Sequence, residues 1–149
     1  MRKKLYFADK EQILKDPIEY WMGVIQEDIH LFDNFDSVKH RIEKLRDADL
    51  LRYFTIKNTG IFAYIITDDF TGGRSLLELM FYIRKGNRGS IRLVIEYIKM
   101  AEQIAFDTNC DSVKIGSNSG YNDAAFLKLL KRLDYVDDTL SKRIRRKLA

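Results

Sequence analysis

A chain of 149 residues with 46% hydrophobic and 32% charged side chains has the size and balance of one globular domain, 1–149, able to build its core without a metal or a disulfide. Its single cysteine, Cys110, excludes an internal disulfide framework and leaves too few thiolates for a zinc or iron–sulfur centre. The net charge of +4 is concentrated at the ends, in Arg2, Lys3 and Lys4 and in Lys142, Arg143, Arg145, Arg146 and Lys147, so the stretch between them is net negative.

The first residues are basic, but Asp9 and Lys10 follow too soon for a secretory signal, and no apolar run reaches the roughly 20 residues that cross a bilayer. The expectation is a soluble, cytoplasmic protein with no membrane partner. Lys3 to Ala8 has the composition of a strand, and Asp9 with Gln12 has the spacing of a capping box. Asp16, Pro17 and Glu19 open a helix in which Ile18, Trp21, Met22 and Ile25 share one face. Ser37 begins a second helix, with Val38, Ile42 and Leu45 as a narrow apolar stripe.

From Leu50 the period changes. Leu50 to Lys57, Ile61 to Thr67 and Leu76 to Arg84 are short runs rich in aromatic and β-branched residues, which predicts three antiparallel strands. Asn58-Thr59-Gly60 marks a tight turn and Asp68 to Ser75 a looser one. Ile91 to Phe106 restores the helical period, with Arg92, Glu96, Lys99 and Gln103 as its polar stripe. Ser112 to Gly116 predicts a strand and Ser117 to Tyr121 a loop. Asn122 caps a helix reaching Leu133, with Ala125, Phe126, Leu129, Leu130 and Leu133 inward. Thr139 to Leu148 predicts a final strand.

Two features carry chemistry. Arg84-Lys85-Gly86-Asn87-Arg88-Gly89-Ser90 lies between a strand and a largely apolar helix, where unpaired N–H groups and the helix dipole favour an anion, although glycines also serve ordinary strand-to-helix turns. Glu78 is an acidic residue inside the apolar run Leu76 to Ile83, an expensive place for a charge unless its side chain faces solvent or a basic neighbour. His30 and His40 show no ligand pattern and read as surface or capping residues, and Cys110 reads as a small buried hydrophobe.

The order of elements, with the glycine-basic loop after the third meander strand and an Asn-capped helix after a short strand, resembles the GNAT (GCN5-related) N-acetyltransferase superfamily over nearly the whole chain. The loop stands where that family writes Gln/Arg-x-x-Gly-x-Gly/Ala, and Lys114-Ile115-Gly116-Ser117-Asn118, Asn122 to Lys128 and Leu133-Asp134-Tyr135 resemble its later segment, with Asp134-Tyr135 in place of Gly-Phe. The helix after the loop is about one turn longer than usual, and Leu129 or Leu130 stands where many members carry a tyrosine general acid. Short phage-encoded GNAT-like proteins, including internal virion proteins, share a long helix and a Phe-Leu-Lys in the last helix.

The resemblance implies an α+β GNAT-like fold with a mostly antiparallel mixed sheet flanked by helices. It implies acetyl transfer from acetyl-CoA, the cosubstrate, to an amine. Arg84, Lys85, Gly86, Asn87, Arg88, Gly89 and Ser90 would hold the pyrophosphate, Asn118 or Asn122 the pantetheine arm, and Glu78 would act as general base. The alternative is a catalytically inactive binding or structural protein of this fold, a phage or virion component whose basic termini contact nucleic acid or protein, with the host cytoplasm or the virion as its location. The simpler reading of those termini is a solvated tail that keeps the protein soluble.

Overall fold

In a computed structural model the residues described are 17–70, 72–116, 123–136 and 141–143. The predicted strand Lys3 to Ala8 and the caps Asp9 and Asp16 lie outside them. Pro17, whose ring presets the helical φ and whose missing N–H costs nothing in a first turn, opens α1 (Pro17–Ile29). The buried face is the predicted one: Ile18, Trp21, Met22 and Ile25. His30 follows at φ 48 and its N–H reaches Gln26 O at 3.2 Å, the left-handed geometry that ends a helix.

The second helix, α2 (Phe35–Asp47), starts earlier than Ser37. Its N-cap is Asn34, whose side chain accepts from Ser37 N at 3.1 Å, so Ser37 receives the cap rather than providing it. Only Ile42 is fully buried, as a narrow stripe requires.

Among the described residues five strands follow: β1 (Arg52–Phe54), β2 (Gly60–Asp68), β3 (Arg74–Ile83), β4 (Ser112–Lys114) and β5 (Ser141–Arg143). They lie side by side in chain order; β3 and β4 are parallel and the other neighbours antiparallel. The fold is thus α+β with a mixed sheet flanked by helices. Strand β1 is shorter than its apolar run because both ends belong to other motifs. Asp49 takes φ 58 and Leu50 N and Leu51 N bond Leu45 O, closing α2. At the other end Lys57 and Asn58, both at positive φ, are the central pair of a tight turn closed by Thr59 N to Ile56 O at 3.0 Å. The turn is therefore centred earlier than Asn58-Thr59-Gly60. Gly60 begins β2 for a different reason: a Cβ there would lie 2.1 Å from Tyr82 O.

The long helix α3 (Ile91–Asp107) carries the chain from β3 to its parallel neighbour β4, and α4 (Asp123–Arg132) follows. Together α3 and α4 cover one sheet face, where Phe54, Phe62, Tyr64, Leu76 and Phe81 meet Val94, Tyr97, Ala101, Phe126 and Leu130. Helices α1 and α2 cover the other through Ile61, Ala63, Met80 and Tyr82. Ala125, expected inward, is exposed. Tyr97 ties α3 to the β1–β2 turn: its hydroxyl accepts from Ile56 N and lies 3.0 Å from Thr59 Oγ1.

Strict alternation would place Leu76 and Met80 on the same face, yet they belong to opposite cores. The cause is a bulge, since Ala63 pairs with Met80 and Tyr64 with Glu78, leaving Leu79 without a partner on β2. Residues before the bulge therefore keep the face they would otherwise have lost.

Candidate active site

The bulge decides where Glu78 points. Two residues from Leu76 and directly across from Tyr64, it faces the α3 and α4 side of the sheet. Backbone pairing between β3 and β4 covers three residue pairs, Ser75 with Ser112 to Leu77 with Lys114, and stops one residue before Glu78. At that point the side chain takes over from the backbone: Gly116 N donates to Glu78 Oε1 at 3.2 Å. The backbone ladder between the two parallel strands thus ends at Leu77, and the Glu78 carboxyl takes the next N–H.

Glu78 is partly buried and keeps some contact with solvent. Loss of hydration pushes its carboxyl up from the usual value to about 8, against the smaller opposing effect of the Gly116 hydrogen bond. A carboxyl with this affinity for protons can exchange one near neutral pH. Among the described residues the hydrogen bond from Gly116 engages one carboxylate oxygen and leaves the other for a further partner.

At the end of β3 the loop forms a short 3-10 turn, Lys85–Asn87, and Ser90 caps α3 by accepting from Leu93 N at 3.2 Å. Asn87 N bonds Arg84 O at 2.9 Å and Ser90 N bonds Asn87 O at 3.2 Å, so part of the loop's donor set is used internally. Neither Gly86 nor Gly89 needs positive φ, and a Cβ on either would meet nothing within 4 Å. The fold itself does not demand glycine at these two places.

Both loop arginines turn towards α1. Arg84 Nε donates to Asn58 O at 2.8 Å and its Nη2 to Tyr20 Oη at 3.1 Å, with the guanidinium 4.5 Å from the centre of a Trp21 ring. Arg88 Nε donates to Ile83 O at 3.0 Å, its Nη2 pairs with Asp28, and its guanidinium lies 5.3 Å from the Tyr82 ring centre. Tyr82 Oη also donates to Asp28, at 2.6 Å, and this bond, ahead of the Arg88 contact, draws the Asp28 carboxyl below its usual range. Burial, then Asp28, pushes the Tyr82 hydroxyl up to about 12. Lys85 is exposed. Asn118 and Asn122 lie outside the described residues.

Where α3 begins, Ile91, Val94, Ala125, Phe126 and Leu129 line a cavity of about 210 Å³ with Lys128 and Arg132 at its wall. Composition did not single out these two cations, although their spacing with Ala125 and Leu129 puts all four on one face of α4. No pattern in the sequence could have paired Asp28 with Arg88, sixty positions on.

Family-model scanning finds no match for this chain, and a search of curated proteins returns no relative. Among the described residues, no helix is long and apolar enough to cross a membrane.

Proposed function

We propose that this chain is a divergent GNAT-like N-acyltransferase that moves an acetyl group from acetyl-CoA to an amine, with Glu78 as general base. The observation that carries the reading is the Glu78 carboxyl at the point where β3 and β4 stop pairing, with an affinity for protons raised to about 8. An ammonium group has a pKa of about 10.4 and cannot attack a thioester until it loses its proton, so a base poised near neutrality meets the harder requirement of the reaction. The thiolate of CoA leaves without a general acid, because a free thiol has a pKa of about 8.5.

The distance along the chain agrees with a long carrier. From Glu78 to Arg84 a strand advances roughly 20 Å, so a molecule held by phosphate at the loop needs an extended arm to bring its acyl group to Glu78. CoA has that shape. The N–H groups of Gly86, Gly89 and the first turn of α3 would face the pyrophosphate, the two glycines leaving room for it. The cavity beside Ile91 and Phe126 would take an apolar part of the carrier, and Lys128 and Arg132 further phosphate charge. Arg84 and Arg88 would shape the loop rather than touch the anion.

The test is transfer itself: the full chain with labelled acetyl-CoA and a panel of primary amines, beside CoA titration. Acetylation that disappears in Glu78→Gln while CoA still binds supports the reading; a wild-type protein that binds no CoA overturns it. The engagement of both loop arginines with α1 favours one second reading, a non-catalytic protein of this fold. That protein would show no transfer with any amine.

A further inference from the structure

We infer that Asp28 is a positioning residue for the loop 84–90, which it holds in shape by clamping Arg88 against the end of β3. The Arg88 side chain folds back over its own loop: Nε donates to the carbonyl of Ile83, the last residue of β3, and Nη2 pairs with Asp28 on α1. Its flat face lies over Tyr82, whose hydroxyl donates to the same Asp28 oxygen. One carboxylate on α1 thus fixes a strand tyrosine and a loop arginine together. Both members of the pair are four-fifths buried, with side-chain exposures of 21% for Arg88 and 20% for Asp28, so solvent screens the contact less than at an open surface.

The clamp acts at the place where the chain must change direction. Between Ile83 and Ser90 the loop's own bonds are short-range, and one of them, Arg88 N to Lys85 O at 3.5 Å, is long. The Arg84 side chain anchors the start of the loop on Asn58, Tyr20 and Trp21, and Arg88 anchors its second half. Without Asp28 the Arg88 guanidinium loses its charged partner on α1, while its contacts with the Ile83 carbonyl and the Tyr82 ring remain. The N–H groups that follow it would then sample several directions instead of one. Asp28 also neutralises one of the loop's positive charges, and the clamp turns that charge away from the opening of α3. The identity of the anion that uses the loop rests on the acyltransferase reading; the positioning role does not.

The experiment compares wild type, Asp28→Asn and Asp28→Glu as full-length protein. Amide hydrogen exchange is followed at Arg88, Ser90 and, as an internal reference, Tyr97 in the middle of α3, and each protein is titrated with CoA. Loss of one charge-assisted hydrogen bond corresponds to about tenfold in a local equilibrium. Asp28→Asn is therefore expected to exchange about tenfold faster at Arg88 and Ser90 with Tyr97 unchanged, and Asp28→Glu to recover part of the protection. The Kd for CoA rises about tenfold in Asp28→Asn while kcat for transfer is kept. Unchanged loop exchange in Asp28→Asn overturns the inference, as does equal acceleration at Tyr97, which marks general destabilisation. Tighter CoA binding by Asp28→Asn also overturns it, since Asp28 would then be withholding Arg88 from the anion. If loop exchange quickens alone but wild type binds no CoA, the acyltransferase reading falls and the positioning role stands.

Discussion

At the scale of single residues, Glu78 joins stability to chemistry. Its carboxyl has a higher proton affinity folded, about 8, than unfolded, about 4.5, so the folded state holds a proton that the unfolded state has released between those two pH values. Stability from this group is complete below about pH 4.5 and is lost as pH rises towards 8. Each unit of difference corresponds to about 1.4 kcal/mol, so the shift amounts to about 5 kcal/mol, which the side chain's contact with solvent reduces to roughly 2–4 kcal/mol over the window. Denaturant melts at pH 5 and pH 8.5 should show wild type losing that much relative to Glu78→Gln. The same titration governs transfer: the rate should rise with an apparent pKa of about 8, and Glu78→Gln should lower it by roughly 10² to 10⁴ with CoA affinity kept. Asp134 is the other informative residue. It sits at φ 71 just past α4, a left-handed position that favours glycine, and Tyr135 behind it is buried with its hydroxyl donating to Glu102 at 3.0 Å. Asp134→Gly should raise stability by about 0.5–1 kcal/mol, because glycine bears no Cβ penalty in the left-handed region. A lower melting temperature for this variant would show that the aspartate makes a compensating contact.

At the scale of elements, α3 and the loop before it separate what the fold needs from what a ligand would need. Ser90 is required by the helix, since its side chain caps Leu93 N, and Ser90→Ala should cost about 1 kcal/mol, seen as a fall of ~2–4 °C in Tm. Gly89 is different, having negative φ and open space around the position of a Cβ. Gly89→Ala should leave stability unchanged or raise it by up to ~1 kcal/mol through the unfolded chain, and should weaken CoA binding severalfold if the added methyl meets the pyrophosphate. Calorimetric titration with CoA and a thermal melt on the same variant check both halves. The last strand bears on the basic end of the chain: Lys142 and Arg143 pair with Val113 and Ser112 in β5, so the positive cluster begins inside the sheet rather than in a free tail.

At the scale of the whole molecule, one sheet serves two cores, and the proposed ligand would bridge elements that share the α3 and α4 face. Binding to the folded state alone adds RT ln(1 + [L]/Kd), about 2.7 kcal/mol at a hundredfold excess, so saturating acetyl-CoA should raise Tm by ~5 °C or more. No shift at millimolar acetyl-CoA would count against the acyltransferase reading. Binding of nucleic acid by the basic ends would weaken steeply between two salt concentrations, and its absence at low salt leaves them as solvated charge.

Element type and order were legible in the amino-acid sequence because local periodicity is a local property. The stripe of Ile18, Trp21, Met22 and Ile25, the change of period at Leu50 and its return at Ile91 each follow from how side chains repeat along a helix or a strand. Chain ends of elements were less legible: β1 lost Leu50 and Leu51 to the cap of α2, since backbone groups there bond the element that satisfies them first. The sequence also marked Glu78 and the loop as chemically unusual. Only the tertiary structure decided which way Glu78 faces, because a single unpaired residue, Leu79, inverts the alternation of β3 and no composition announces a bulge. It alone turned Arg84 and Arg88 towards α1 and brought Asp28 to Arg88, for such pairings depend on how α1 crosses the sheet, a distance in space that the order of residues does not contain.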